Sequence, residues 1–187
     1  MEIPRESWTF HELVKRRAEQ YGDRNFCTFV EGDTLSFLEL ESATNRLASA
    51  LAKLGVVPGD RVICLMHNSK AFLLTMIAVQ KRGAIFVPIN TELKGAFLEH
   101  QVRNIEPRMV VVGHELRAAF DTISIDGLEI ETTVTVEGSS APLPGTQSVQ
   151  FEDLLATDPN PADIVPAKAR DICAIMFTSG TTAPSKG

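Results

Sequence analysis

A strand, a helix and a second strand follow one another between residues 57 and 88, and this order constrains the fold most. Arg61–Met66 is a short apolar run that follows a turn at Val57–Asp60, and Ala84–Pro88 is a second run of the same kind. Lys70–Arg82 lies between them and is apolar on almost every side, which predicts a helix packed on more than one face. Consecutive strands joined through a helix run parallel. The segment therefore predicts a βαβ unit in a mostly parallel sheet.

The flanking sequence extends this pattern in both directions. Phe10–Tyr21 and Leu40–Leu54 carry apolar residues at helical spacing, with Thr9 and the capping-box pattern of Ser36–Glu39 as their start signals. The other predicted elements are a hairpin of Phe26–Val30 and Thr34–Phe37, a helix at Lys94–Asn104, a strand at Met109–Val112, a helix at His114–Thr122, a weak strand within Glu129–Val136, an exposed loop at Glu137–Gly145 and a short helix at Phe151–Ala156. This alternation predicts an α/β fold with a mostly parallel sheet and helices on both of its faces.

Charge and hydropathy narrow the classes of partner. The chain has 187 residues and a net charge of −6, whereas nucleic-acid and anionic-membrane surfaces require basic patches. Its hydrophobic content of 44% is enough to fill one sizeable core. The sequence has no signal peptide pattern at Met1–Trp8 and no apolar run of about 20 residues that would span a membrane. A small-molecule partner is therefore expected, with no nucleic acid and no membrane span.

The cysteines and histidines do not predict a metal site. Cys27, Cys64 and Cys173 are far apart in apolar surroundings, which is typical of reduced core residues in a cytosolic protein. The histidines lack the spacing of a ligand set, so we expect surface or capping roles for His11, His67, His100 and His114.

The last stretch, Asp171–Gly187, joins an apolar run to a loop of hydroxyl groups, glycines and one lysine. Ile172–Phe177 has the length and composition of a buried strand. The loop that follows offers backbone N–H groups, four hydroxyl donors and the charge of Lys186, which together suit a polyphosphate. Five residues separate Gly180 from Lys186, so the loop is not a Walker A sequence. From local chemistry alone, a phosphate site and an ordinary surface turn both remain open.

Thr178–Gly187 resembles the nucleotide-phosphate loop of the acyl-adenylate-forming superfamily, which includes acyl-CoA synthetases, firefly luciferase and the adenylation domains of peptide synthetases. The usual loop is Thr-Ser-Gly-Thr-Thr-Gly, one variable residue and Pro-Lys-Gly. Here Ala183 stands where glycine is usual, and the proline comes one position early. Leu35–Leu40 and Lys81–Asn90 are similar to two further segments of the family, whose role is mainly structural. Asn90, where aspartate is frequent, favours the acyl-CoA synthetase branch.

The resemblance implies the chemistry of an acid–thiol ligase. A carboxylate attacks the α-phosphate of ATP to give an acyl-adenylate and pyrophosphate, and a thiol, usually that of coenzyme A, then takes the acyl group. The residues that the resemblance assigns to the β- and γ-phosphates are Thr178, Ser179, Gly180, Thr181, Thr182, Lys186 and Gly187. It implies no catalytic residue and no metal ligand within this chain, and no tightly bound cofactor. The implied partners are a carboxylic acid, ATP with Mg²⁺, and coenzyme A, with a role in fatty-acid metabolism in the cytoplasm.

Members of the superfamily continue well beyond the phosphate loop. We therefore expect residues 1–187 to be part of the N-terminal domain, truncated within that loop and lacking the C-terminal domain. Such a fragment is expected to be inactive alone, and to self-associate through apolar surface that its missing partners leave exposed. The alternative is a non-catalytic α/β module with a binding or oligomerisation role.

Overall fold

Helices and strands alternate along the chain as predicted. The computed structural model describes residues 4–5, 8–30, 32–165 and 167–178. Its α-helices are α1 Phe10–Tyr21, α2 Phe37–Lys53, α3 Lys70–Lys81, α4 Gly95–Ile105 and α5 Phe151–Leu155. Its strands are β1 Asn25–Thr28, β2 Thr34–Ser36, β3 Arg61–Leu65, β4 Ile85–Pro88, β5 Met109–Gly113, β6 Thr132–Val136 and β7 Gln147–Gln150. Within the described residues, the ranges His114–Thr122 and Pro161–Asp163 are 3₁₀ helices. Among the described helices, none is long and apolar enough to cross a membrane.

The main sheet contains five parallel strands in the order β4-β3-β5-β6-β7. Val62 of β3 lies opposite Phe86 of β4 on one side and Met109 of β5 on the other. Since α3 connects β3 to β4, the predicted βαβ unit is confirmed. β1 and β2 form a separate antiparallel hairpin, which was also predicted. After β4 the chain returns to the other side of β3, so the winding direction of the sheet reverses at β3.

Both faces of the sheet are covered. Successive side chains of a strand point to opposite faces, and in β3 they enter two separate clusters. Val62 and Cys64 pack with buried residues of α1, α2, α3 and α5. Ile63 and Leu65 pack with buried residues of α4 and of the 3₁₀ helix His114–Thr122. The predicted α/β fold, with helices on both faces of a parallel sheet, is confirmed.

Side-chain caps fix where the N-terminal helices begin. Ser36 Oγ accepts a hydrogen bond from Glu39 N at 3.1 Å, and Glu39 Oε2 accepts one from Ser36 N at 2.8 Å. This is the predicted capping box at the start of α2. Thr9 caps α1, and Ser69 caps α3 by accepting a hydrogen bond from Phe72 N at 3.2 Å. These caps satisfy N–H groups that a helix cannot satisfy internally.

The predicted helix at His114–Thr122 is present, as a 3₁₀ helix. Two local features differ from the sequence-based expectation. The loop Glu137–Gly145 is not exposed throughout, because Leu143 is buried against the α4 face of the sheet. Strand β7 was not predicted at all. Its sequence Gln-Ser-Val-Gln lies at the edge of the sheet and is half-buried to exposed, so it lacks the apolar pattern of an interior strand.

A buried ion pair joins α2 to α3. The side chain of Lys81 is fully buried, and its Nζ lies 2.6 Å from Glu41 Oε2 and 2.7 Å from Asn45 Oδ1. Glu41 and Asn45 are one helical turn apart on α2, so both reach the same ammonium group. Burial lowers the pKa of Lys81, while the hydrogen bond and the charge of Glu41 oppose that effect.

Candidate functional site

The segment that leads to the predicted phosphate loop lies beside β4. Phe86 N donates to Cys173 O at 3.0 Å, and Ile175 N donates to Phe86 O at 3.0 Å. These bonds surround a parallel bridge between Phe86 and Ala174. The segment therefore continues the sheet beyond β4, in the same direction as the other strands.

The prediction of a buried strand at Ile172–Phe177 is wrong in its burial. The segment forms one isolated bridge and no regular strand, and the exposed fractions of Ile172 and Met176 are 66% and 65%. Cys173 is also exposed, which corrects its interpretation as a core residue. The segment is exposed because of its position at the edge of the sheet. Within the described part of the chain, the segment pairs only with β4, so its other side stays uncovered.

Several polar residues lie along the carboxyl edge of the sheet. Because the strands are parallel, the residues that follow them lie along one edge. These residues are His67 after β3, Asn90 after β4, His114 after β5 and Thr178 after the terminal segment. Asn90 and Thr178 each lie four residues beyond the bridge between Phe86 and Ala174, so both chains run toward this edge from the same paired position. Thr178 is exposed there.

The topology of the sheet predicts a ligand site at one position of this edge, and the predicted phosphate loop begins at another. The first is the gap between β3 and β5, where the winding of the sheet reverses. His67 and His114 follow the ends of these two strands. The other is the end of the terminal segment at Thr178, on the far side of β4 from that reversal. Ser179, Gly180, Thr181, Thr182, Lys186 and Gly187, the other residues assigned to phosphate, lie outside the described residues. Their placement therefore stays a prediction.

Sequence analysis missed one close contact at the same edge. An added Cβ at Gly138, just after β6, would lie 2.9 Å from Cγ of the His114 ring. The ring of His114 therefore packs against the backbone of Gly138, and Gly138 adopts a φ of +83°. A glycine in a loop that is predicted to be exposed gives no signal of such a contact.

The histidines do not assemble a metal site. Among the described residues, no group of three or more His, Cys, Asp or Glu side chains is arranged to hold a metal ion. His67 and His114 are exposed, as predicted. Of the surface and capping roles expected for His11, the surface role is wrong, because only 16% of its side chain is exposed.

The three thiols provide a test of where the terminal segment lies. We expect Cys173 to react with iodoacetamide about 10²-fold faster than Cys64, since Cys173 is exposed and Cys64 becomes accessible only when the core opens by a few kcal/mol. Burial also raises the pKa of both Cys64 and the half-buried Cys27, which depletes their reactive thiolates. Timed alkylation of the folded chain, read by peptide mass spectrometry, measures the three rates. Unfolding in guanidinium is the control and should equalise them. Equal rates for Cys64 and Cys173 in the folded chain would contradict this placement.

Comparisons with known proteins agree with the resemblance of the loop. The sequence profile of the AMP-binding enzyme family matches residues 14–187. The chain is 32% identical to the medium/long-chain-fatty-acid CoA ligase of Mycobacterium tuberculosis, with 91% of the chain and 27% of that protein covered. It is 33% identical to a feruloyl-CoA synthase of an Amycolatopsis species, with 83% of the chain and 28% of that protein covered.

A solved structure shows the same fold. The crystal structure of an anthranilate CoA ligase in complex with anthranoyl-AMP superposes with a TM-score of 0.82 at 25% identity, covering 99% of this chain and 35% of that one. The chain thus spans about a quarter to a third of the length of these relatives. The match of the family profile over residues 14–187 places the chain in the AMP-binding enzyme family.

Proposed function

We propose that residues 1–187 are the N-terminal part of an ATP-dependent carboxylate–CoA ligase and end within its phosphate loop. The observation that carries the proposal is the sequence Thr178–Gly187, which starts where a segment parallel to β4 reaches the carboxyl edge of the sheet. Ligands of parallel sheets bind at this edge. Membership of the AMP-binding enzyme family and the CoA ligases among its relatives support the proposal.

The proposed reaction has two steps. An oxygen of the acid attacks the α-phosphorus of ATP, the bond to the bridging oxygen of the β-phosphate breaks, and pyrophosphate leaves. The sulfur of coenzyme A then attacks the carbonyl carbon of the acyl-adenylate, the thiol proton is lost, and AMP leaves. No residue within 1–187 is proposed as a nucleophile in either step.

The proposed task of the loop is to hold the leaving pyrophosphate. Negative charge moves onto the β- and γ-phosphates as the first step proceeds, and donors placed in advance stabilise that charge. The Lys186 ammonium supplies a positive charge, and the glycine-rich backbone supplies N–H groups. The proposed phosphate ligands are Thr178, Ser179, Gly180, Thr181, Thr182, Lys186 and Gly187. Mg²⁺ enters with ATP in this proposal, and no residue of this chain is proposed to bind it.

The proposed acid, compartment and pathway follow from the relatives and the thiols. One relative is named for medium- and long-chain fatty acids, which supports a role in fatty-acid metabolism, and another is named for a feruloyl group. All three cysteines are free, which favours a reducing compartment such as the cytoplasm. Self-association of the 187-residue chain stays a prediction, supported by the exposed side chains of Ile172 and Met176.

The decisive experiment measures pyrophosphate release. A protein that contains this chain and has the length of its relatives is incubated with ATP, Mg²⁺ and coenzyme A. Each reaction contains one acid from a panel of octanoate, palmitate, ferulate and anthranilate. We expect release with at least one acid, dependent on both ATP and that acid, and no release above background from the 187-residue chain alone. Absence of release across a broad panel would overturn the proposal and favour the non-catalytic module.

A further inference from the structure

The terminal segment depends on the chain before it for its position. Its pairing with β4 is limited to one isolated bridge, with Phe86 N and Ile175 N as the two donors. A single backbone hydrogen bond contributes only about 1 kcal/mol net to stability. Contacts outside the bridge therefore contribute much of what fixes the position of Thr178. The connector, residues 156–171, leads directly into the segment and is where such contacts are found.

Arg82 holds this connector from the turn that ends α3 and leads into β4. Its Nε donates to Val56 O, just after α2, at 2.8 Å, and its Nη1 donates to Asp163 O in the connector at 3.3 Å. A guanidinium is planar and always charged in proteins, so its donors point in fixed directions. The bond to Val56 therefore orients the group that holds the connector.

The two neighbours of Arg82 hold the same stretch of the connector. Lys81 O accepts a hydrogen bond from Val165 N at 2.9 Å. An added Cβ at Gly83 would lie 3.2 Å from Val165 Cγ1, so Val165 packs against the backbone of Gly83. The connector and β4 are thus fixed to one turn. Because the terminal segment continues the connector, this turn sets where the segment meets β4.

From these contacts we infer that Arg82 is a positioning residue for the predicted phosphate loop. The inference rests on the proposed function, which assigns the loop to phosphate. Arg82 precedes β4, whereas Thr178 lies at the carboxyl edge, so Arg82 acts through the connector and not by contact with a phosphate. The placement of a reacting group matters, because a misplacement of about 1 Å can lower a rate by 10²-fold.

Hydrogen exchange at the bridge measures the placement of the segment. In the 187-residue chain, Arg82→Ala should raise the exchange rate of the Ile175 N–H, followed by NMR, about tenfold, since a bond from a charged donor contributes at least that factor to a local equilibrium. Arg61→Ala is the matched control, because Arg61 also donates to two backbone carbonyls, but at the end of α4. Unchanged exchange in Arg82→Ala, or equal acceleration in Arg61→Ala, would overturn the inference.

Kinetics in a protein of the length of the relatives measure the consequence for the loop. Arg82→Ala should lower kcat for acid-dependent pyrophosphate exchange about tenfold and change KM for ATP by less than about twofold, because the loop is proposed to act on the leaving pyrophosphate. Arg61→Ala should leave both constants unchanged. A loss that appears only in KM, or equally in both variants, would overturn the inference.

Two further outcomes keep the test decisive. If the wild-type protein catalyses no exchange of pyrophosphate, the proposed function fails, and hydrogen exchange of Ile175 alone decides whether Arg82 positions the segment. If Arg82→Ala does not fold, Arg82→Lys keeps the charge but lacks the fixed fork of donors, and it should change both measurements in the same direction by a smaller factor. Wild-type values for Arg82→Lys in both measurements would then overturn the inference.

Discussion

The variant Glu41→Leu should lower the free energy of unfolding of this chain by about 3–5 kcal/mol. The substitution leaves the Lys81 ammonium fully buried. Its remaining hydrogen-bond acceptors are Asn45 Oδ1 and, further away, the backbone carbonyl oxygen of residue 41. Burial already lowers the pKa of Lys81, and the hydrogen bond and charge of Glu41 are the groups that oppose this effect. Urea unfolding at pH 7, followed by circular dichroism, measures the loss.

A double variant separates the ion pair from simple packing. Glu41→Leu combined with Lys81→Met removes both charges and replaces them with apolar groups of similar size. Such replacements of buried pairs are often neutral or stabilising, so the double variant should recover most of the stability that Glu41→Leu loses. Arg16→Ala is the control for an exposed pair, since the Arg16 contact with Glu12 is solvated and should contribute about 0.5 kcal/mol or less. A double variant no more stable than Glu41→Leu would show that the two side chains act independently.

The fold could be predicted from the sequence wherever the buried residues and the cap of an element lie within that element. The bounds of α1 match the prediction because a cap at Thr9 and an apolar face both lie in the helix itself. The parallel arrangement of β3 and β4 followed from the helical length of the link between them. Strand β7 could not be predicted this way. It is short, polar and at the sheet edge, so its pairing with β6 is the only property that makes it a strand.

The buried Lys81–Glu41 pair and the exposure of Ile172–Phe177 could not be predicted from sequence patterns. Lysine is ordinarily exposed, and the partner of Lys81 lies 40 residues away, so no local signal places it in the interior. Ile172–Phe177 carries the composition of a core strand, yet burial depends on having neighbours on both sides. The phosphate residues themselves were predicted by resemblance of the loop, and among them only Thr178 lies within the described residues.

In a protein of the length of the relatives, Lys186→Ala should lower kcat for acyl-adenylate formation by about 10²–10³-fold. That is the usual loss when one donor to a developing negative charge is removed from a water-excluded site. The proposed role of Lys186 is to neutralise the pyrophosphate as it leaves, so the charge matters more in the transition state than in bound ATP. Acid-dependent exchange of labelled pyrophosphate into ATP measures this step without coenzyme A.

The distribution of the loss between kcat and KM decides whether Lys186 has this role. A loss confined to KM for ATP would mean that Lys186 binds the nucleotide equally in the ground and transition states, which contradicts stabilisation of the leaving group. Lys186→Arg keeps the positive charge and should retain more activity than Lys186→Ala, although its geometry differs. Lys15→Ala removes an exposed charge on α1, far along the chain from the loop, and should leave the exchange rate unchanged. The contrast between the exchange rates of Lys186→Ala and Lys15→Ala separates the loss of the charge at the phosphate loop from the loss of a lysine elsewhere.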